Sequence, residues 1–168
     1  MTARREVHLL RAQSDAVLIG AETLRKDDPS LLVRYKPLPE GKMQPWRVIV
    51  SRGQRELPPD AQVFTDAHRD RTLVYRGVSL PDVLDELGGK YAVNQVLVEG
   101  GGEIAGALFE AGLVDEVCFY LAPLLSGGPA VGVAGLGAGS TLEAVRLGRV
   151  EYRKVGRDLR MRGLVVRS

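Results

Sequence analysis

The sequence is short of the residues that bind metals and cross-link chains. Its 168 residues include one cysteine, Cys118, and two histidines, His8 and His68. A lone cysteine excludes an intrachain disulfide and a cysteine metal cluster, and its place within the apolar run Val117 to Leu121 reads as core. Neither histidine has a second candidate ligand at useful spacing, so each reads as a solvated side chain and no metal site is expected. No apolar segment reaches membrane-spanning length, and the opening Met-Thr-Ala-Arg-Arg-Glu-Val lacks the apolar region of a signal peptide, so we expect a cytoplasmic protein without membrane contact. A net charge of +2 is too small to argue for nucleic acid. Basic residues do gather between Arg146 and Arg167, where a solvated strand face explains them. Nothing reads as a linker, and a single domain over 1–168 is expected.

What is present centres on Asn94 to Gly112. Val96, Leu97 and Val98 form a short apolar run, the pattern of a strand covered on both faces, and Gly100, Gly101 and Gly102 follow before helix-forming residues resume. A strand, a glycine turn and a helix start leave unpaired backbone N–H groups at the positive end of a helix dipole, where a phosphate can approach without a Cβ in the way. The same glycines would also suit a tight turn for helix packing. Glu99, at the mouth of the turn, would repel a phosphate but accept N–H groups from an uncharged part of a ligand.

The rest of the chain alternates. Residues 3–14 read as an amphipathic helix with Val7, Leu9 and Leu10 on its apolar stripe. Ala16 to Gly20 reads as a buried parallel strand, and Gly20 to Asp28 as a short helical turn stopped before Pro29. Leu31 to Tyr35 is expected to be a short edge strand, residues 36–46 a loop, and Arg47 to Ser51 another buried strand. Weaker strands are expected at Gln62 to Thr65 and Thr72 to Tyr75. A helix then opens at Ser79 to Asp82 and stops at Gly88-Gly89. Val114 to Leu125 reads as a long strand, with Pro123 marking a sheet edge or bulge. Residues 126–140 read as an ordered loop beside a ligand site, and Arg149 to Val155 with Leu159 to Val166 as an antiparallel hairpin. The expected fold is α/β, with a mainly parallel central sheet flanked by helices and a C-terminal antiparallel hairpin.

A dinucleotide fingerprint can be sought in Gly100-x-Gly102-x-x-x-Gly106. That motif belongs to the first strand of a doubly wound domain, however, and here it follows four or five strands. Other segments point elsewhere: Leu10-Arg11-Ala12-Gln13-Ser14-Asp15-Ala16, then Gly20-x-x-Thr23-x-x-x-Asp27-Asp28-Pro29-x-Leu31-x-Val33-Arg34, then Val98-Glu99-Gly100-Gly101, and Ala111-Gly112-Leu113-Val114-Asp115-Glu116. In order and spacing they resemble the bacterial riboflavin-biosynthesis pyrimidine reductases, the dihydrofolate-reductase-like half of a bifunctional deaminase-reductase. No deaminase zinc motif accompanies them. The resemblance starts after the strand, ending in a Ser-Leu-Asp-Gly-like segment, with which the family opens.

The resemblance implies NADPH-dependent reduction of 5-amino-6-(5-phosphoribosylamino)uracil to its ribitylamino product, by a homodimer. It assigns cofactor contacts to Thr23, Asp27, Ser51 (with Arg52 as the competing position) and the segment Gly101, Gly102, Glu103, Ile104, Ala105, Gly106 and Ala107. It assigns substrate contacts to Arg11, Leu31, Arg34 and Glu99, with the two guanidinium groups suited to a phosphate. A reductase acting on another pteridine or pyrimidine, and a nucleotide-binding homologue without activity, remain open beside this reading.

Overall fold

The computed structural model describes residues 2–34, 38, 40–53, 55–125 and 132–167. Its elements run α1 (Ala3–Gln13), β1 (Ala16–Gly20), α2 (Ala21–Asp27), β2 (Trp46–Ser51), α3 (Gln62–Thr65), β3 (Thr72–Arg76), α4 (Leu80–Tyr91), β4 (Val96–Val98), α5 (Gly102–Glu110), β5 (Glu116–Leu121), β6 (Leu147–Val155) and β7 (Asp158–Val165). The fold is mixed α/β. A parallel sheet of four strands has the order β3-β2-β1-β4, and a separate antiparallel sheet of three has the order β5-β7-β6. The antiparallel part is thus a sheet of its own, not the end of the parallel one.

The parallel sheet is the core because its central strands are apolar on both faces. Val17 and Ile19 of β1 pack with Ile49, Leu24, Leu31 and Val63 on one side. Ala16 and Leu18 pack with Val48, Val50, Val83 and Leu87 on the other. Burying both faces requires continuous apolar runs instead of alternation, which is what β1 and β2 carry. β4 departs from the expectation: as an outer strand its three residues are only half-buried.

Other departures have local causes. Gln62–Thr65 is one helical turn, not a strand; its two β-branched residues suggest a strand, but Val63 enters the core and its carbonyl accepts from Arg47. Helix α4 does not stop at Gly88-Gly89 but runs to Tyr91, where Ala92 takes the left-handed capping conformation at φ 53°. Its start agrees with the sequence, since the Ser79 hydroxyl accepts from Asp82 N. β5 ends at Leu121, before Pro123. The hairpin β6–β7 turns through Gly156 at φ 66°, which suits a two-residue hairpin loop.

Residues 31–34 form no strand. Leu31 lies at φ 58° with its side chain in the core, a conformation that breaks an extended ladder. Side chains take the place of a neighbouring strand. Gln44 bonds both Val33 N (2.9 Å) and Val33 O (3.2 Å), Arg11 reaches Leu32 O (3.1 Å), and His8 accepts from Arg34 N (3.2 Å). Tyr35 and residues 126–131 of the glycine-rich loop lie outside the described residues.

Candidate active site

In an open parallel sheet, ligands favour the crevice beyond the carboxyl ends of the strands where the chain reverses its order of travel. Here that point lies between β1 and β4. The chain leaves β1 for β2 and β3 on one side and returns to β4 on the other. The two strands run in register, Leu18 beside Val98, and Glu99 N donates to Leu18 O at 3.0 Å. Gly20 therefore opens into α2 next to the place where Glu99 to Gly101 open into α5.

The three glycines of the turn have different reasons to lack a side chain. A Cβ on Gly100 would lie 3.3 Å from Ile104 Cβ and overlap its γ-methyl group. A Cβ on Gly101 would meet only Thr23 Oγ1, at 3.9 Å. Gly101 is the N-cap of α5 and has no side chain to bond the helix's first amides. Open space beside Gly101, with Thr23 and these amides at its edge, is a setting for an anion. Asp27, one turn beyond Thr23 on α2, is exposed.

Farther along α5 the expected cofactor segment divides. Gly106 is buried against the backbone of residue 134, where an added Cβ would stand 2.6 Å from the Ala134 carbonyl carbon. Ala134 N also donates to Gly102 O at 2.9 Å, and Leu136 N to Glu110 Oε1 at 2.9 Å. The described part of the long loop is thus laid along α5. Gly101 and Glu103 are exposed, Gly102, Ile104, Ala105 and Ala107 are half-buried, and Ile104 packs on the core.

Across the crevice, Arg11 and Glu99 are partners. Arg11 Nε meets Glu99 Oε1 at 2.6 Å and Nη2 meets Oε2 at 2.6 Å, while Nη1 donates to Leu32 O at 3.1 Å. Among the described residues these bonds use three of the five guanidinium N–H groups. Arg34 is exposed and donates through Nη2 to the buried Ser30 hydroxyl. Leu31 is 1% exposed as a whole residue, so neither its side chain nor its backbone faces open space. Ser51, at the carboxyl end of β2, is buried and its hydroxyl bonds Gly53 O at 3.2 Å, whereas the neighbouring Arg52 is exposed.

Two positions escape a reading of the sequence. His8 is buried, not solvated, and it stands beside Arg11 and Arg34. Burial, then the Arg11 charge, push its pKa below the ordinary histidine value, with Glu99 opposing. The only signal available in sequence is the three-residue spacing of His8 and Arg11 on α1, which puts them on one face. The second is Arg47, wholly buried in β2, which forks onto Asp66 at 2.7 and 3.0 Å and donates to the carbonyls of Ser30 (3.2 Å) and Val63 (2.9 Å). Burial raises the Asp66 pKa, but the Arg47 hydrogen bonds, the His68 N–H and the Arg47 charge outweigh it and bring the carboxyl below its usual value. Arg47 thereby fixes the backbone just before Leu31. Among the described residues, no three His, Cys, Asp or Glu side chains gather as a metal site, and no helix is long and apolar enough to cross a membrane.

Comparison with known proteins gives the family. A family model described as the RibD C-terminal domain matches residues 1–161. The riboflavin biosynthesis protein RibD of Mycobacterium tuberculosis is 38% identical over 157 residues, covering 94% of this chain and 44% of that protein. That of Escherichia coli is 36% identical over 186 residues, covering 94% of this chain and 50% of that protein. The chain therefore spans about half the length of the curated relatives it matches. A solved structure of Acinetobacter baumannii RibD superposes with a TM-score of 0.85 at 28% identity, over 98% of this chain and 50% of that one.

Proposed function

Because the chain belongs to the RibD C-terminal domain family, we propose that it is an NADPH-dependent reductase of riboflavin biosynthesis, converting 5-amino-6-(5-phosphoribosylamino)uracil to the ribitylamino product. The observation that carries this reading is the meeting of Arg11 and Glu99, 88 residues apart, beside the glycine turn at the switch point. An acceptor for pyrimidine N–H groups, cations for a phosphate and the open space beside Gly101 then share one crevice.

The residues present fit a nicotinamide dinucleotide. The space that a Cβ on Gly101 would enter, next to Thr23 Oγ1, suits its pyrophosphate; Asp27 and the end of β2, Ser51 or Arg52, supply further polar contacts. Bound there, NADPH would supply the hydride. The protein's own residues bind and orient. Glu99 accepts from the pyrimidine while Arg11 holds its carboxylate in place, and the Arg34 guanidinium takes the substrate phosphate.

Purified chain supplied with NADPH and the phosphoribosylamino substrate should consume NADPH, faster than with NADH and faster than with a pteridine. Equal turnover of a pteridine would move the assignment to another pteridine or pyrimidine. NADPH binding without turnover of any substrate would leave a nucleotide-binding homologue.

The same reading includes a cytoplasmic homodimer. One face of the antiparallel sheet aligns Phe119, Leu121, Tyr152 and Leu159 around Met161, and these four are 36%, 54%, 66% and 42% exposed. Apart from Lys154, which stands beside Leu159, this face is apolar and suits an isologous contact. Light scattering should give about twice the 18.2 kDa chain mass; a soluble monomer at micromolar concentration would exclude the dimer.

A further inference from the structure

We infer that His8 is a positioning residue for substrate phosphate, acting by accepting the Arg34 backbone N–H at its Nδ1 and so setting where the Arg34 guanidinium is presented. This rests on the reading of Arg34 as a phosphate ligand. The contact spans 26 residues at 3.2 Å and joins α1 to a segment without a strand neighbour. Arg11, one turn along the same helix, holds Leu32 O at 3.1 Å. Helix α1 therefore grips residues 32–34, the segment that carries Arg34, with two side chains.

The grip has a chemical condition. Nδ1 accepts a hydrogen bond only when it carries no proton, and in the imidazolium both ring nitrogens are donors. The charged groups facing His8 are Arg11 on its own helix, Arg34 on the gripped segment and Glu99 beyond β4, with the Leu32 backbone also bonded to the ring. Burial, then the Arg11 and Arg34 charges, favour the neutral ring, and Glu99 and the Leu32 backbone bond oppose them. On acidification below the ordinary histidine value, the Arg34 N–H loses its acceptor and a third cation appears between two guanidinium groups. That added charge would by itself attract a phosphate, so a loss of affinity on acidification beyond that caused by protonation of the ligand's own phosphate reports displacement of Arg34.

His8→Asn is the discriminating variant, because Asn Oδ1 occupies the place of Nδ1 and accepts without titrating in this range. His8→Leu removes the acceptor. Amide NMR of the ligand-free chain and calorimetric titration with ribose 5-phosphate, each across the acid limb, form the test. In the wild type the Arg34 amide should shift together with the His8 ring; in His8→Asn it should stay constant. At neutral pH, His8→Asn should bind ribose 5-phosphate within about threefold of the wild type, and His8→Leu about tenfold more weakly, as for loss of a buried hydrogen-bond partner. The wild type should lose more affinity on acidification than His8→Asn, which shares the titration of the ligand's own phosphate. NADPH affinity should be equal in all three. If His8→Leu does not fold, the comparison of wild type with His8→Asn decides alone. An Arg34 amide that does not follow His8, or phosphate binding equal in all variants, overturns the role of His8 while leaving the phosphate reading in place. A wild-type chain that binds no ribose 5-phosphate at any pH removes the phosphate reading, and this inference with it.

Discussion

The guanidinium of Arg11 and the carboxylate of Glu99 close a two-bond fork, 2.6 Å at each arm, although 88 residues separate them. Both side chains are largely buried, at 12% and 21% exposure. Two residues that the sequence assigns to separate parts of a ligand are therefore one unit, which fastens α1 to the end of β4.

Their mutations should not add. Arg11→Met and Glu99→Gln should each raise the KM for the phosphoribosylamino substrate about tenfold, and the double variant should be little worse than the poorer single one. The coupling is expected at about 1–3 kcal/mol, the range for contacting polar groups. Steady-state kinetics on the four proteins measures it. Strict additivity would mean that the pair is not maintained in the working site.

The turn glycines separate binding from stability. Gly101→Val should fold normally, since its Cβ meets nothing nearer than Thr23 Oγ1 at 3.9 Å, yet it should weaken NADPH about tenfold or more by occupying that space. Gly106→Ala should cost about 1–3 kcal/mol of stability by overpacking, because the obstructing atoms belong to the backbone at Ala134. Denaturant midpoints and cofactor titration on both variants check the contrast; a Gly101→Val chain with undiminished NADPH binding would move the cofactor elsewhere.

Asp66 should dominate the acid side of the stability curve. Its folded pKa is depressed by Arg47, so its contribution is present above the unfolded value of 3.8 and disappears as pH falls through the lower folded value. His8 contributes at milder acidity. With its folded pKa below 6.5, the unfolded chain takes up the proton first and stability falls as pH drops under that value. Asp66→Asn should lose about 3–5 kcal/mol at neutral pH, because Arg47 remains a wholly buried charge without its partner, and should lack the steepest acid limb. Chemical denaturation as a function of pH measures both effects.

Cys118 should resist thiol reagents. Burial pushes its pKa up, while Tyr120 and the Arg160 charge offset this only in part. Labelling at neutral pH should be much slower than for an unfolded control, and comparable rates would show that β5 opens readily.

Central strands β1 and β2 are legible in the sequence because helices on both sides demand unbroken apolar runs. The glycine turn is legible because it joins a strand to a helix within a few residues. What escapes depends on distant partners. Glu6 reads as a solvated charge of α1 but is buried, bonded to Tyr120 Oη at 3.1 Å and Arg160 Nη1 at 3.3 Å, 114 and 154 residues away. His8 is hidden for the same reason, and its partner is a backbone N–H that no side-chain pattern reveals. Residues 31–34 have the composition of a strand, yet the left-handed Leu31 and the clamps from Gln44, Arg11 and His8 hold them otherwise. Gly88-Gly89 looks like a helix stop, but Val83 and Leu87 anchor α4 in the core and the turn continues to Tyr91.

The proposed reduction needs a nicotinamide and a phosphoribosylamino pyrimidine to meet in this crevice. The most direct measurement is mass spectrometry of the pyrimidine product after incubation with NADPH deuterated at the transferable nicotinamide position. Appearance of one deuterium in the ribityl chain, abolished by pairing Gly101→Val with Arg34→Ala, is the expected result. Recovery of unchanged substrate, with NADPH bound at the glycine turn, would contradict it.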